Sequence, residues 1–202
     1  MILFDIETTG LDPYKDELRV FGQLDYDSGE ITVKTASSLA QEERLVHEIS
    51  HHWKSSIRYN CYDKYWGGWN ITEFDFWFIA VRAQLLATEY VRDTLPLLPV
   101  RVDEGLIGKY GKPRMTVPGL KVTDLAYEGT KALAEMNQVK WSLQPVAEAL
   151  GWKPTLPGFR ERLGKANTTV LDLARHCIDD LEAIAFVYDL LDDLGQATKD
   201  AA

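Results

Sequence analysis

A chain that begins Met-Ile-Leu-Phe-Asp-Ile-Glu-Thr-Thr-Gly has to build its fold around its first few residues. Ile2 to Ile6 is a short apolar run rich in β-formers, closed by Thr8, Thr9, Gly10 and Asp12-Pro13, and it predicts a buried mid-sheet strand entering a turn. Residues two apart on a strand point to one face, so Asp5 and Glu7 emerge side by side near its C-terminal end. Two acids on an otherwise apolar strand repel each other, and a divalent cation is their natural neutraliser. Alone, the pair fits equally a strand end that has reached solvent.

The rest of the chain supplies partners for that strand. Leu18 to Tyr26 and Glu30 to Thr35 read as two further strands joined by Asp27-Ser28-Gly29. Leu39 to Lys54 has a helical period, Asp63 to Trp69 returns to an aromatic strand, and Thr72 to Ala87 is helical again. A Pro- and Gly-punctuated stretch from Pro96 to Gly119 predicts loop or hairpin. Leu120 to Leu125 reads as a strand, Ala126 to Glu135 as a helix, and Ser142 to Leu150 as a short helix stopping at Gly151. A long helix starts near Thr168 or Thr169 and carries Val170, Leu173, Cys177, Leu181, Ile184, Tyr188 and Leu191 on one stripe as far as Gly195. The expectation is α/β: a mixed central sheet of about five strands flanked by helices, one domain over 1–195 and a flexible tail over 196–202.

Composition bounds the function. A length of 202 residues with 46% hydrophobic content suits one core. With 22 bases against 31 acids, broad electrostatic capture of a polyanion is excluded and any such contact must be local. The bases concentrate between Arg101 and Lys121, and the acids from Asp172 onward. Only Cys61 and Cys177 are present, so a disulfide framework is excluded and a reducing cytoplasm is expected. No apolar run approaches membrane-spanning length, and the start lacks the basic region of a signal peptide.

Two more groups of acids follow the first. Asn70-Ile71-Thr72-Glu73-Phe74-Asp75 opens a helix, where Thr72 and Asp75 also read as a capping box. His176 and Asp180 lie one turn apart in the last helix, a spacing that an ordinary exposed pair shares. Each is unremarked alone, but all three occur in order, each in the type of element that the others need.

Together they resemble a known family over most of the chain. Phe4-Asp5-Ile6-Glu7-Thr8-Thr9-Gly10, Asn70 with Phe74-Asp75, and His176 with Asp180 look like the three motifs of the DEDD superfamily of 3′→5′ exonucleases, which have an RNase H-like fold. The likeness is closest to the proofreading domain of family B DNA polymerases. Such domains carry a Ser-Leu-(x)2-Val-Ala stretch, here Ser142 to Ala147, and a strand ending in Asp-Leu, here Val122-Thr123-Asp124-Leu125.

The resemblance implies that Asp5, Glu7, Asp75 and Asp180 hold two Mg²⁺ or Mn²⁺ ions about 4 Å apart for phosphodiester hydrolysis. Asp5 would bridge them, Glu7 and Asp180 would complete the site of the attacking water, and Asp75 would support the second ion. The third motif departs from the family, whose members have Tyr with three residues between it and the Asp, or His with four between. Here His176 has three between, so it is the expected water-orienting or proton-accepting group in an unusual register.

For the substrate, Thr8, Asn70 and Phe74 are implied contacts, with Lys112 and Arg114 of the basic loop against phosphate. Arg160, Arg162 and Lys165 are further candidates for the backbone. Tyr62, Tyr65, Trp66 and Trp69 could stack bases but fit sheet core better. The expected partner is nucleic acid, chiefly single-stranded DNA 3′ ends, with the protein acting alone in repair or beside a polymerase in trans. Two other classes stay open. His47-Glu48-Ile49-Ser50-His51 matches the H-E-x-x-H pattern of zinc peptidases within a helical segment, and an inactive nucleic-acid-binding module would keep the same fold.

Overall fold

A computed structural model describes residues 1–58, 65–86, 101–107, 113–117, 120–127, 130–155 and 168–200. Its strands are β1 (Ile2–Thr8), β2 (Leu18–Asp25), β3 (Glu30–Thr35), β4 (Trp66–Gly68), β5 (Arg101–Ile107), β6 (Pro113–Thr116) and β7 (Val122–Asp124). The described helices are α1 (Leu39–Arg58), α2 (Asp75–Leu85), α3 (Thr130–Met136), α4 (Leu143–Ala149) and α5 (Val170–Asp200).

Five strands form one mixed sheet in the order β3-β2-β1-β4-β7. β1 runs antiparallel to β2, which runs antiparallel to β3, while β4 and β7 join in parallel. The apolar N-terminal run is thus central, as its composition requires, because neighbours on both sides satisfy its backbone. β5 and β6 make a separate antiparallel hairpin inside the stretch where the sequence predicts loop or hairpin.

Each face of the sheet has its own core. On one, Phe4, Ile6 and Phe21 pack with Trp53 of α1, Trp66 of β4 and Phe76 of α2. Phe4 is the hub, with ring centroids 5.6 Å from Trp53, 5.8 Å from Trp66 and 5.6 Å from Phe76. On the other, Leu3, Val20 and Leu24 pack against Cys177, Leu181, Ile184 and Val187 of α5, with Leu143 and Ala147 of α4 alongside. This five-stranded sheet between helices is the RNase H-like architecture that the resemblance implies.

The local signals land with informative errors. α5 starts with a reciprocal cap: Thr169 Oγ1 accepts from the Asp172 N–H at 3.1 Å, and Asp172 Oδ2 accepts from the Thr169 N–H at 3.0 Å. α4 stops where Gly151 takes a φ of +107°. Gly195 does not stop α5, which continues to Asp200, correcting the expected helix end. A lone glycine costs a helix only about 1 kcal/mol, and no capping conformation replaces helix there. The strand expected over 63–69 is described only at Trp66–Gly68, and the helix expected from Ala126 begins at Thr130, after a turn. No helix among the described residues is long and apolar enough to cross a membrane.

Candidate active site

Alternation along β1 makes the site. Phe4 and Ile6 enter the first core, so Leu3, Asp5 and Glu7 face α5. Opposite Asp5 in the ladder stands Gly22, where a Cβ would collide with Cys177 Sγ and the Leu181 side chain. The missing side chain lets α5 lie close on the sheet and brings its polar edge to the two acids. The ladder register shifts between Glu7 and Thr8, where the chain leaves the sheet.

His176 and Asp180 arrive on that edge. His176 Nε2 lies 3.7 Å from Glu7 Oε1 and 3.6 Å from Asp180 Oδ2, with its side chain 12% exposed. The ligand atoms of Glu7, His176 and Asp180 all lie within 4.8 Å of one another, and this is the one such metal-holding group among the described residues. Asp75 enters from the first turn of α2 and is 3% exposed.

Electrostatics show how tightly the acids are gathered. Burial pushes the Asp5 carboxyl well above the usual carboxylate range, and the charges of Glu7, Asp180 and Asp75 push it further. Asp75 is raised by burial and by Asp124, against the pull of its own N–H and that of Ile6. Asp5 Oδ2 and Asp75 Oδ1 are buried without a hydrogen-bond partner among the described residues. Unpartnered carboxylate oxygens in a four-acid cluster fit a hard divalent cation, which neutralises the repulsion and takes oxygen ligands. Asp5, Glu7, Asp75 and Asp180 are the residues that could hold it.

The other sequence candidates fall in several places. Thr8 Oγ1 donates to Gly10 O at 2.5 Å at the strand exit. Asn70 adopts φ +63°, and its Oδ1 is buried without a partner among the described residues. Phe74 packs beside the first core, 5.5 Å from Phe78. Arg114, expected in a loop, is on β6; its Nε donates to Thr72 Oγ1 at 2.9 Å and its guanidinium lies 4.2 Å from the Tyr127 ring centroid. Lys112, Arg160, Arg162, Lys165 and Tyr62 lie outside the described residues. Trp66 is core, Trp69 packs against the second core, and Tyr65 is 45% exposed beneath the Lys121 ammonium.

One reading is corrected, and another gains no support. Thr72 does not cap α2: its hydroxyl donates to Asp124 Oδ2, and the helix begins at Asp75 without a side-chain cap. His47, Glu48 and His51 do share α1, yet Glu48 pairs with Lys34 at 2.6 Å, and no metal-holding group of three includes them among the described residues.

Gln144 is a site residue to which the sequence reading gave no role. It is buried on α4, and its Nε2 donates to Asp180 Oδ1 at 2.7 Å, fixing the rotation of that carboxylate. It stands inside the Ser142–Ala147 stretch, but its partner is 36 residues away. Groups that orient a ligating carboxylate typically matter by ~10–100-fold in metal affinity. Gln144→Leu is therefore expected to weaken Mn²⁺ binding by about tenfold in calorimetric titration; unchanged affinity would make its role packing alone.

A comparison with curated protein sequences found no match. A family model of the RNase H superfamily matches residues 2–192, a span running from β1 into α5 and including Asp5, Glu7, Asp75, His176 and Asp180. With that match over nearly its whole length and the acids gathered on this sheet, the chain belongs to the RNase H superfamily.

Proposed function

We propose that the protein is a divalent-metal-dependent 3′→5′ exonuclease that hydrolyses phosphodiester bonds, mainly of single-stranded DNA, and releases nucleoside 5′-monophosphates. The observation that carries this reading is the convergence of Asp5 and Glu7, Asp75, and Asp180 from three separate elements, with Asp5 Oδ2 and Asp75 Oδ1 buried and without a hydrogen-bond partner among the described residues. Membership of the RNase H superfamily supports the broader class, a nuclease using divalent metal on a nucleic acid.

Asp5, Glu7, Asp75 and Asp180 would hold two Mg²⁺ or Mn²⁺ ions. When bound, such a pair activates water and offsets negative charge on the departing 3′ oxygen. His176 Nε2, 3.7 Å from Glu7 and 3.6 Å from Asp180, would orient the attacking water and accept its proton. Thr8, Asn70 and Phe74 would contact the terminal nucleotides, with Lys112 and Arg114 serving the phosphates. In a protein of net charge −9 those bases would provide the local attraction, leaving the enzyme to act alone on frayed 3′ ends or beside a polymerase.

The test is digestion of 5′-labelled single-stranded DNA and RNA of one sequence with Mg²⁺, Mn²⁺ or EDTA. The expected result is a ladder shortening from the 3′ end, stronger for DNA and absent with EDTA or in Asp5→Ala. In the same assay His176→Ala should be slower by ~10²–10⁴-fold, the range of a lost general base. A folded protein that cleaves neither strand with either metal would point instead to a binding module.

A further inference from the structure

Asp124 is a buried carboxylate that this mechanism does not use. It ends β7 in register with Gly68 of β4, is 2% exposed, and has no cationic partner among the described residues. Its oxygens accept four hydrogen bonds instead. Oδ1 takes the N–H of Asn70 at 2.8 Å and that of Ala126 at 3.2 Å. Oδ2 takes the N–H and hydroxyl of Thr72 at 2.9 and 2.5 Å. Such an arrangement satisfies a buried carboxylate without an ion pair, and breaking it strands several polar groups at once.

Two of these partners lie in the segment that delivers Asp75. Asn70 is held at φ +63°, a conformation that asparagine tolerates but that has to be imposed from outside. From there the chain turns through Glu73 N–H and Phe74 N–H to Asn70 O at 3.2 and 3.1 Å, and Phe76 N–H to Ile71 O at 3.0 Å. α2 then begins at Asp75 with no side-chain cap. Thr72, the residue suited to cap that helix, has its hydroxyl proton committed to Asp124 while its lone pair accepts from Arg114.

We infer that Asp124 is a positioning residue: it diverts Thr72 from capping α2 and locks the 70–74 turn so that Asp75 is presented to Asp5. The β5–β6 hairpin braces the same turn, with Met115 N–H donating to Thr72 O at 2.6 Å. Glu73 is held as well, accepting from the Tyr127 hydroxyl at 2.6 Å. With the lock gone, the 70–74 turn can relax, and a small change in the start of α2 moves Asp75 away from Asp5. The inference rests on the proposed role of Asp75.

The experiment is Mn²⁺ titration by calorimetry of the full chain, with circular dichroism as a control for folding and the nuclease assay alongside. Asp124→Asn keeps size but turns an amide donor toward N–H groups that are already donors. The expected result is a Kd for Mn²⁺ raised about tenfold or more with the folded spectrum retained, and a matching rise in the Mn²⁺ needed for half-maximal cleavage. Binding at wild-type affinity overturns the inference. Should Asp124→Asn fail to fold, Thr72→Ser and Thr72→Val decide: Ser, which retains the hydroxyl, should bind as wild type and Val more weakly, and equal affinities overturn it. A wild-type protein that binds Mn²⁺ yet releases no nucleotide would sink the exonuclease reading and leave the metal-binding comparison standing.

Discussion

Asp5→Asn is expected to remove nuclease activity, by ~10³-fold or more given the several kcal/mol that such metal ligation supplies, and to make the metal-free protein more heat-stable. Both follow from one arrangement. Asp5 sits beside Glu7, Asp180 and Asp75 with a buried oxygen that has no hydrogen-bond partner among the described residues, so its negative charge is unfavourable until a cation arrives. Because its carboxyl is raised in the folded state, the folded protein holds that proton more tightly than the unfolded chain. Its stabilising contribution is therefore full below the ordinary carboxylate value of about 4 and is lost as pH rises through the raised value. Asp75 is raised in the same sense. In EDTA the melting temperature of the wild type should fall between acid and neutral pH, and Asp5→Asn should flatten that fall. At neutral pH Mn²⁺ should raise the melting temperature of the wild type far more than that of the variant. Parallel pH profiles for the two proteins would contradict this account.

The largest loss of stability is expected from Arg82→Ala, about 3–5 kcal/mol in denaturant unfolding. Arg82 reaches from α2 to Glu42 on α1, donating from Nε to Oε1 at 2.7 Å and from Nη2 to Oε2 at 2.6 Å. Glu42 is fully buried and also accepts the Leu18 N–H at 2.7 Å at the start of β2. Arg82 Nη1 donates to Pro13 O at 3.2 Å, so the pair fastens the loop that leaves the acid-bearing strand. Truncating the arginine leaves a carboxylate with no access to water and no countercharge, which is far costlier than losing a surface pair. A stability loss of under ~1 kcal/mol with an unchanged slope would show that the interior relaxes to hydrate Glu42.

What the sequence made readable divides along one physical line. Period-two alternation put Asp5 and Glu7 on one face of a central strand, and period 3.6 put His176 and Asp180 on one face of a helix, because both depend only on neighbours along the chain. The sheet order was expected only as mixed, since pairing β1 with β4 rather than another strand is decided by tertiary packing. Thr72 shows the limit well: locally it is a helix cap, and only the arrival of Asp124 from 52 residues away gives its hydroxyl another partner. Gln144 on Asp180 and Arg82 on Glu42 are pairings of the same long-range kind. The H-E-x-x-H segment has the opposite lesson, because its helix forms as patterned while Glu48 is drawn to Lys34 of the neighbouring strand.

The contact of α5 with β1 spans 172 residues between Cys177 and Asp5. A ribosome extending this chain has finished the strand that bears two of the acids long before it makes the helix that bears Asp180 and His176. Until that helix docks across from Gly22, the nascent protein holds an incomplete cluster. The proposed cleavage would thereby be tied to completion of the fold, because a chain released before that helix lacks Asp180 and His176 of the cluster.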